Sequence, residues 1–382
     1  MPKIRKENKQ TNLSFFTDLL DEPYNGLIEQ AETDGAIPIA YTCSYIPDVL
    51  LSVDKLLPVR VRAPGIEGTE IADIYLSNVT CSYTRSLLEF AMDDQYDFFK
   101  GWVFAASCDH LRRLYDNLNY IRKPDFIHIL DVPHRIGESA LSWYVDDLKR
   151  LVESLSVQFG VNYNNDSLTE AIREHNQFNE LLASLGELRK KKYPLISGTE
   201  FHSIMLASLV TPKQLLTKKI EAFKDSLDEK EGISDYRARL VIVGGQLDDP
   251  GYINIIESTG GLVVADHLCT GSIPGLELIN TDDDPMQAIA GHYLNRISCP
   301  RMMEEFNARV EDIMESVEEY NADGVIIEFI KFCDIWGVEA NLLASEIRKR
   351  GVPALCLERE YRLTGEGQLQ TRIQAFIESM GK

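Results

Sequence analysis

The sequence contains no C-x-x-C pair. Its seven cysteines, Cys43, Cys81, Cys108, Cys269, Cys299, Cys333 and Cys356, are scattered over 382 residues. That sparseness excludes a zinc ribbon, a ferredoxin-type cluster run and a disulfide scaffold, and an odd count cannot pair completely within one chain. Reduced thiols are expected. Cations are scarce as well: 39 Lys and Arg stand against 60 Asp and Glu, a net charge of −21. Such a surface repels phosphate backbones and anionic headgroups, so neither nucleic acid nor a membrane is an expected partner. No apolar run approaches the roughly 20 residues of a bilayer span. The basic opening MPKIRKENKQ has no apolar stretch behind it, which makes a cytoplasmic location the expectation. The H-E-x-x-H, G-x-S-x-G and EF-hand patterns are missing. Gly244-Gly245 in VGGQLDD lacks both the G-x-G-x-x-G pattern and a Walker Lys-Ser/Thr ending, so no ATP site is expected here.

What the chain does contain is apolar sequence in two sets. At 44 % hydrophobic over 382 residues it exceeds what one core holds, and two compact domains are expected. Short β-branched runs alternate with helical patterns: AIPIAYT (36–42), PVRVR (58–62), GWVFAAS (101–107) and FIHIL (126–130), then LVIVGG (240–245), GLVVAD (261–266), GVIIEF (324–329) and PALCLE (353–358). Their hydrophobicity is continuous rather than alternating, the mark of strands covered on both faces. The expected fold is α/β: two flavodoxin-like domains, 1–137 and 236–382, each with a four-stranded parallel sheet flanked by helices. Residues 138–235, with apolar residues repeating at three and four, form a helical connector, and Gly232 to Asp235 is a plausible hinge.

In open parallel sheets, ligands bind beyond the carboxyl ends of the strands. Strand one there runs into Cys43-Ser44-Tyr45 and strand three into Cys108-Asp109-His110; in the second set, strand two leads to Asp266-His267-Leu268-Cys269 and strand three to Cys333-Asp334. Two facing halves bring Cys108 and Cys333 to one cleft. Cys81 joins them from a loop that opens a helix, where the helix dipole favours a thiolate. The competing reading of any one thiol is a small buried hydrophobe. Cys356 lies within a strand and belongs to the core, and Cys299, before Pro300, caps or packs.

The segments YTCSYIP (41–47), CSYTRSLLE (81–89), CDHLRRLYD (108–116), DGVIIEFIKFCD (323–334) and EGQLQTRIQAFIE (366–378) together resemble the 2-hydroxyacyl-CoA dehydratase and benzoyl-CoA reductase superfamily. The resemblance implies a 4Fe-4S cluster held by three cysteines, the matching positions being Cys81, Cys108 and Cys333, with one iron left open. Cys81-Ser82-Tyr83 stands where the double-cubane branch has a C-P-L-type loop, so a single cubane is expected. The implied activity is removal of water from a 2-hydroxyacyl-CoA thioester. One electron added to the thioester carbonyl gives a ketyl that expels the hydroxyl and acidifies the β-proton. ATP-dependent aromatic-ring reduction of benzoyl-CoA and a non-catalytic electron-relay role are the alternatives. Implied partners are an acyl- or aryl-CoA thioester, a homologous second subunit and an ATP-hydrolysing activator with its own 4Fe-4S cluster.

Arg60, Arg62, Arg85, Arg112 and Arg113 are candidates for touching CoA, although surface arginines more often form weak ion pairs, and around that cluster Arg85 and Arg112 are also candidates for tuning it through charge. Ser44 and Tyr45 are candidate substrate contacts, with Ser44 as a helix cap the competing reading. Gln368 and Thr371 are candidate donors to a cluster sulfur or substrate, against a simple N-cap. His110 and His134 are proton carriers in principle and structural histidines otherwise.

Overall fold

The computed structural model describes residues 13–228, 230–272 and 276–382. The first sheet is built from β1 (Ile37–Tyr41), β2 (Leu56–Arg60), β3 (Gly101–Ala105) and β4 (Ile127–Leu130), in the order β2-β1-β3-β4. The second uses β5 (Ala238–Gly244), β6 (Gly261–Leu268), β7 (Gly324–Ile330) and β8 (Ala354–Arg359), in the order β6-β5-β7-β8. Every pairing is parallel. Each sheet thus has the flavodoxin-type arrangement without its fifth strand, and its switch point lies between the first and third strands. All seven residues of β5 and of β7 are buried, which is why these runs read as continuously apolar. The strand bounds differ from the sequence expectation at β2, which starts two residues before Pro58, and at β6, which runs through Leu268.

The connector is four helices, Glu138–Phe159, Asn165–Gly186, Gly198–Leu209 and Lys213–Ser226. Their ends are set by sequence. Gly160 ends the first in a left-handed turn, and Asn164 with Ser167, and Ser197 with Glu200, form reciprocal capping boxes that satisfy otherwise unpaired N–H groups. The halves also exchange packing elements. Helix Pro285–Leu294, which lies between β6 and β7 in sequence, enters the core under the first sheet through Met286, Ile289 and Tyr293. Arg189 of the connector pairs with Asp266 of β6 at 2.9 Å, both buried. No described helix is long and apolar enough to cross a membrane.

Two close approaches position the loops between the sheets. A Cβ on Gly244 would stand 2.2 Å from Glu328 Oε1, so the end of β5 admits only glycine beside this fully buried carboxylate of β7. Burial pushes the Glu328 carboxyl up and the Arg359 guanidinium opposes that. Arg359 donates to both Glu328 and the Gln246 carbonyl, fixing the loop after β5. Tyr361 donates to Asp248 of its own half at 2.6 Å and, across the halves, accepts from the Ala63 N–H at 2.9 Å and gives its own N–H to Ser82 Oγ at 2.8 Å.

Candidate metal centre

Between the carboxyl ends of the two sheets lies a cavity of about 110 Å³ whose lining includes six of the seven cysteines: Cys43, Cys81, Cys108, Cys269, Cys299 and Cys333. Three of them share one local device. Cys81 and Cys108 each occupy the N-cap of a helix, Ser82–Met92 and Asp109–Ile121, and Cys333 sits in the turn before helix Trp336–Lys349. Cys108 Sγ accepts from the Leu111 N–H at 3.5 Å, Cys333 Sγ from the Trp336 N–H at 3.4 Å, and Cys81 Sγ lies 3.2 Å from Thr84 Oγ1. Each sulfur is therefore held by the residue three positions on. His110 Nδ1 accepts the Cys81 N–H at 3.2 Å, a structural task for a residue considered as a proton carrier. Phe332, half-exposed beside Cys333, is in the left-handed region at φ 63°, a strained conformation for a bulky side chain that turns the chain into the site.

The helix N-termini do not by themselves make thiolates. Burial pushes the Cys81 and Cys108 thiols up and the Cys333 thiol up to about 12, so the dipole effect expected at Cys81 is outweighed. Only a bound cation compensates for displacing those protons. Cys299 differs: a hydrogen bond from the Cys269 thiol, then the Arg301 backbone N–H and the Arg301 and Arg309 charges, lowers it, and the same bond raises Cys269.

The polar groups around the thiols are left short of partners. Arg60 Nε, Arg296 Nε, Arg301 Nε, Trp336 Nε1, Thr42 Oγ1 and Gln246 Oε1 are buried without a hydrogen-bond partner among the described residues, and all six residues line the cavity. The three arginines are 1–5 % exposed, and among the described residues none is ion-paired to a carboxylate. Arg296 donates to the Ser44 carbonyl at 2.7 Å and lies over the Tyr293 ring. Arg301 donates to the Pro133 and Val132 carbonyls, and among the described residues Arg60 has only the Tyr41 ring, 5.4 Å from its guanidinium. Buried cations are held in folded proteins by anions. Six sulfurs facing three unpaired guanidinium groups fit an anionic iron–sulfur group. Among the described residues no three His, Cys, Asp or Glu side chains are arranged to hold a single ion. These thiols surround a volume, as the ligands of a multi-iron cluster do.

The other expected site residues divide. Ser44 and Tyr45 line the cavity, but their hydroxyls are engaged, Ser44 donating to the Cys269 carbonyl at 2.7 Å and Tyr45 to that of Arg296. Arg85 is tied to Asp73 at 2.9 Å and to the Thr80 carbonyl; Arg112 is exposed, 4.0 Å from Asp131; neither lines the cavity. Gln368 belongs to a separate cavity of about 230 Å³ with Arg359 and Arg372, and the Thr371 hydroxyl donates to the Gly367 carbonyl. His134 Nδ1 lies 3.2 Å from the Arg301 carbonyl. Sequence reading missed Cys43, Cys269 and Cys299 as a group, and with them Arg296 and Arg301. The available signal was that Cys43 and Cys269 each follow a strand.

Residues 43–380 match the family model described as 2-hydroxyglutaryl-CoA dehydratase, D-component. The chain belongs to this family. Its relatives include the (R)-phenyllactyl-CoA dehydratase beta subunit of Clostridium sporogenes, 24 % identical over 96 % of this chain and 97 % of the relative. The putative dehydratase subunit YjiM of Escherichia coli is 25 % identical over 90 % and 92 %, and a benzoyl-CoA reductase subunit of Thauera aromatica 24 % over 82 % and 83 %. The relatives therefore include subunits of dehydratases and of a benzoyl-CoA reductase, and this chain matches them over most of their length.

Proposed function

We propose that this family member is the iron–sulfur subunit of a low-potential dehydratase acting on a 2-hydroxyacyl-CoA thioester, working with a homologous second subunit and an ATP-hydrolysing one-electron activator. The observation that carries this reading is the six-thiol cavity with three buried, unpaired arginines. Cys81, Cys108 and Cys333 hold iron on one wall, and Cys43, Cys269 and Cys299 hold iron on the other. That extends the single cubane expected from the sequence. Bound there, the iron–sulfur group supplies one-electron reduction and a Lewis-acidic iron.

The chain's own residues supply position, dryness and charge. Leu111, Ile330, Ile335 and Trp336 close the cavity with apolar surface, which lowers the local dielectric and strengthens each charge interaction. Arg60, Arg296 and Arg301 offset the negative charge of the thiolates, and the Ser44 and Tyr45 bonds anchor the loop carrying Cys43. The test is anaerobic purification with iron and sulfide analysis, followed by incubation with activator, ATP and either 2-hydroxyacyl-CoA or benzoyl-CoA thioesters. Formation of 2-enoyl-CoA supports the dehydratase reading; turnover of benzoyl-CoA alone replaces it with ring reduction.

One observation favours a second reading, an electron-carrying subunit that does not touch substrate. A cavity of about 110 Å³ is well below the roughly 300–1,000 Å³ of small-molecule sites, and both hydroxyls expected to meet substrate are engaged. Adding the thioester to the reduced subunit separates the two: a changed electron paramagnetic resonance signal marks the catalytic subunit, an unchanged one the relay.

A further inference from the structure

The two walls of the thiol cavity differ in charge. Arg60, from the end of β2, and Arg296 and Arg301, from the segment after helix Pro285–Leu294, all line the cavity and are buried. Two of these charges act on the second trio, Arg60 on Cys43 and Cys269 and Arg301 on Cys299, while Arg296 holds the Ser44 carbonyl beside Cys43 at 2.7 Å. Arg309 also faces this wall, donating to the Cys299 carbonyl and adding its charge there, although it is paired with Glu339, 2.7 Å away. Among the described residues, no cation lining the cavity stands among the main charges acting on the Cys81, Cys108 and Cys333 wall. The Asp334 carboxylate acts on Cys81 and Cys108, and the nearby Arg85 is already paired with Asp73. Arg60 is the most exposed to this asymmetry, since it has neither a carboxylate nor a carbonyl partner among the described residues and its Nε is orphaned.

A buried positive charge stabilises whichever neighbouring centre carries the extra electron, because in a dry cavity the interaction is poorly screened. We propose that Arg60, with Arg296 and Arg301 behind it, makes the Cys43/Cys269/Cys299 wall the electron-retaining half of the site and leaves the Cys81/Cys108/Cys333 wall the electron-giving half. An electron delivered to the site by an external one-electron donor then rests on the arginine side, with no proton or bond change. Arg60 is the positioning charge that sets this order. The inference rests on iron being bound at both walls.

The experiment is a reductive titration of the iron-loaded, anaerobically purified chain, followed by visible absorption and electron paramagnetic resonance, for wild type, Arg60→Gln and Arg60→Lys. Loss of the charge in Arg60→Gln should make the more easily reduced step at least about tenfold less favourable, about 59 mV for one electron, while Arg60→Lys stays within about twofold of wild type. If Arg60→Gln loses iron from one wall and Arg60→Lys keeps it, the counter-charge role also stands. Equal shifts in both variants, iron loss in both, or no shift in either would overturn it and leave Arg60 a packing residue. Wild-type protein without iron would instead sink the proposed function, a result visible before any variant is titrated.

Discussion

Tyr361→Phe removes one oxygen from the joint between the two halves, and the structure sets its effect. The Tyr361 hydroxyl donates to Asp248 Oδ2 at 2.6 Å and accepts the Ala63 N–H at 2.9 Å, with all three residues buried. Phenylalanine keeps the ring packed against Tyr83, 5.4 Å between centroids, so the loss is polar. It strands the Ala63 N–H and leaves the Asp248 carboxylate with Arg62 Nε at 3.6 Å, beyond hydrogen-bond range. A buried group deprived of its partner costs about 1–3 kcal/mol, so two such groups should destabilise the protein by about 2–6 kcal/mol. Urea unfolding at pH 7, with midpoints converted through a common slope, measures this. Tyr236→Phe is the control. Its hydroxyl bonds the Lys192 carbonyl in an exposed setting, and the change should stay within about 0.5 kcal/mol. A shift that small for Tyr361→Phe would refute the claim that this joint holds the halves together.

Cys108→Ala and Cys333→Ala should lose the iron of their wall, Cys269→Ala about half the total, and Cys356→Ala, whose thiol lies outside the cavity, none; iron per chain and visible absorption check all four. Phe332→Gly, which relieves the left-handed strain at φ 63°, should raise stability by about 1 kcal/mol in urea unfolding. Acid should destabilise the fold well before the carboxylates titrate. Burial and the Lys213 charge push His175 down to about 3, and burial with Arg296 and His175 pushes His292 down to about 2, whereas the unfolded chain protonates both near 6.5. The unfolded state therefore takes up these protons first. Their stabilising contribution is complete above about pH 6.5 and falls by about 1.4 kcal/mol per group per pH unit on the way down. Burial raises the Asp48 carboxyl, but Lys213, His175 and Tyr293 together hold it low, adding a loss of the same sign below about pH 4. Urea midpoints at pH 7.5 and pH 5 should therefore differ, and His175→Gln should flatten the difference.

The eight strands were legible because burial on both faces leaves a continuous apolar run, and β5 and β7 are the clearest cases. Strand ends were less legible: Leu56 and Leu57 precede Pro58 in β2, where the proline, on an edge strand, donates nothing and breaks no ladder. That Cys81, Cys108 and Cys333 line one cavity was readable because Cys108 and Cys333 each follow a strand that topology carries to the same edge, and Cys81 opens a helix. Cys299 was not, since the helix before it, Pro285–Leu294, packs under the first sheet, a crossing of halves that local periodicity does not encode. The same crossing hid Arg296, and the Asp48, Lys213 and His175 network beside a cavity of about 840 Å³ depends on it too, through Tyr293. Gln368 was misplaced for a related reason. The Tyr361 to Gly365 turn and Gln368 itself line a different cavity.

Counting iron and acid-labile sulfide per chain after anaerobic purification tests the central claim directly. Six thiols around one cavity predict about eight irons with a matching amount of sulfide and a broad visible absorption. Fewer than about two irons per chain, with a colourless protein, would contradict it.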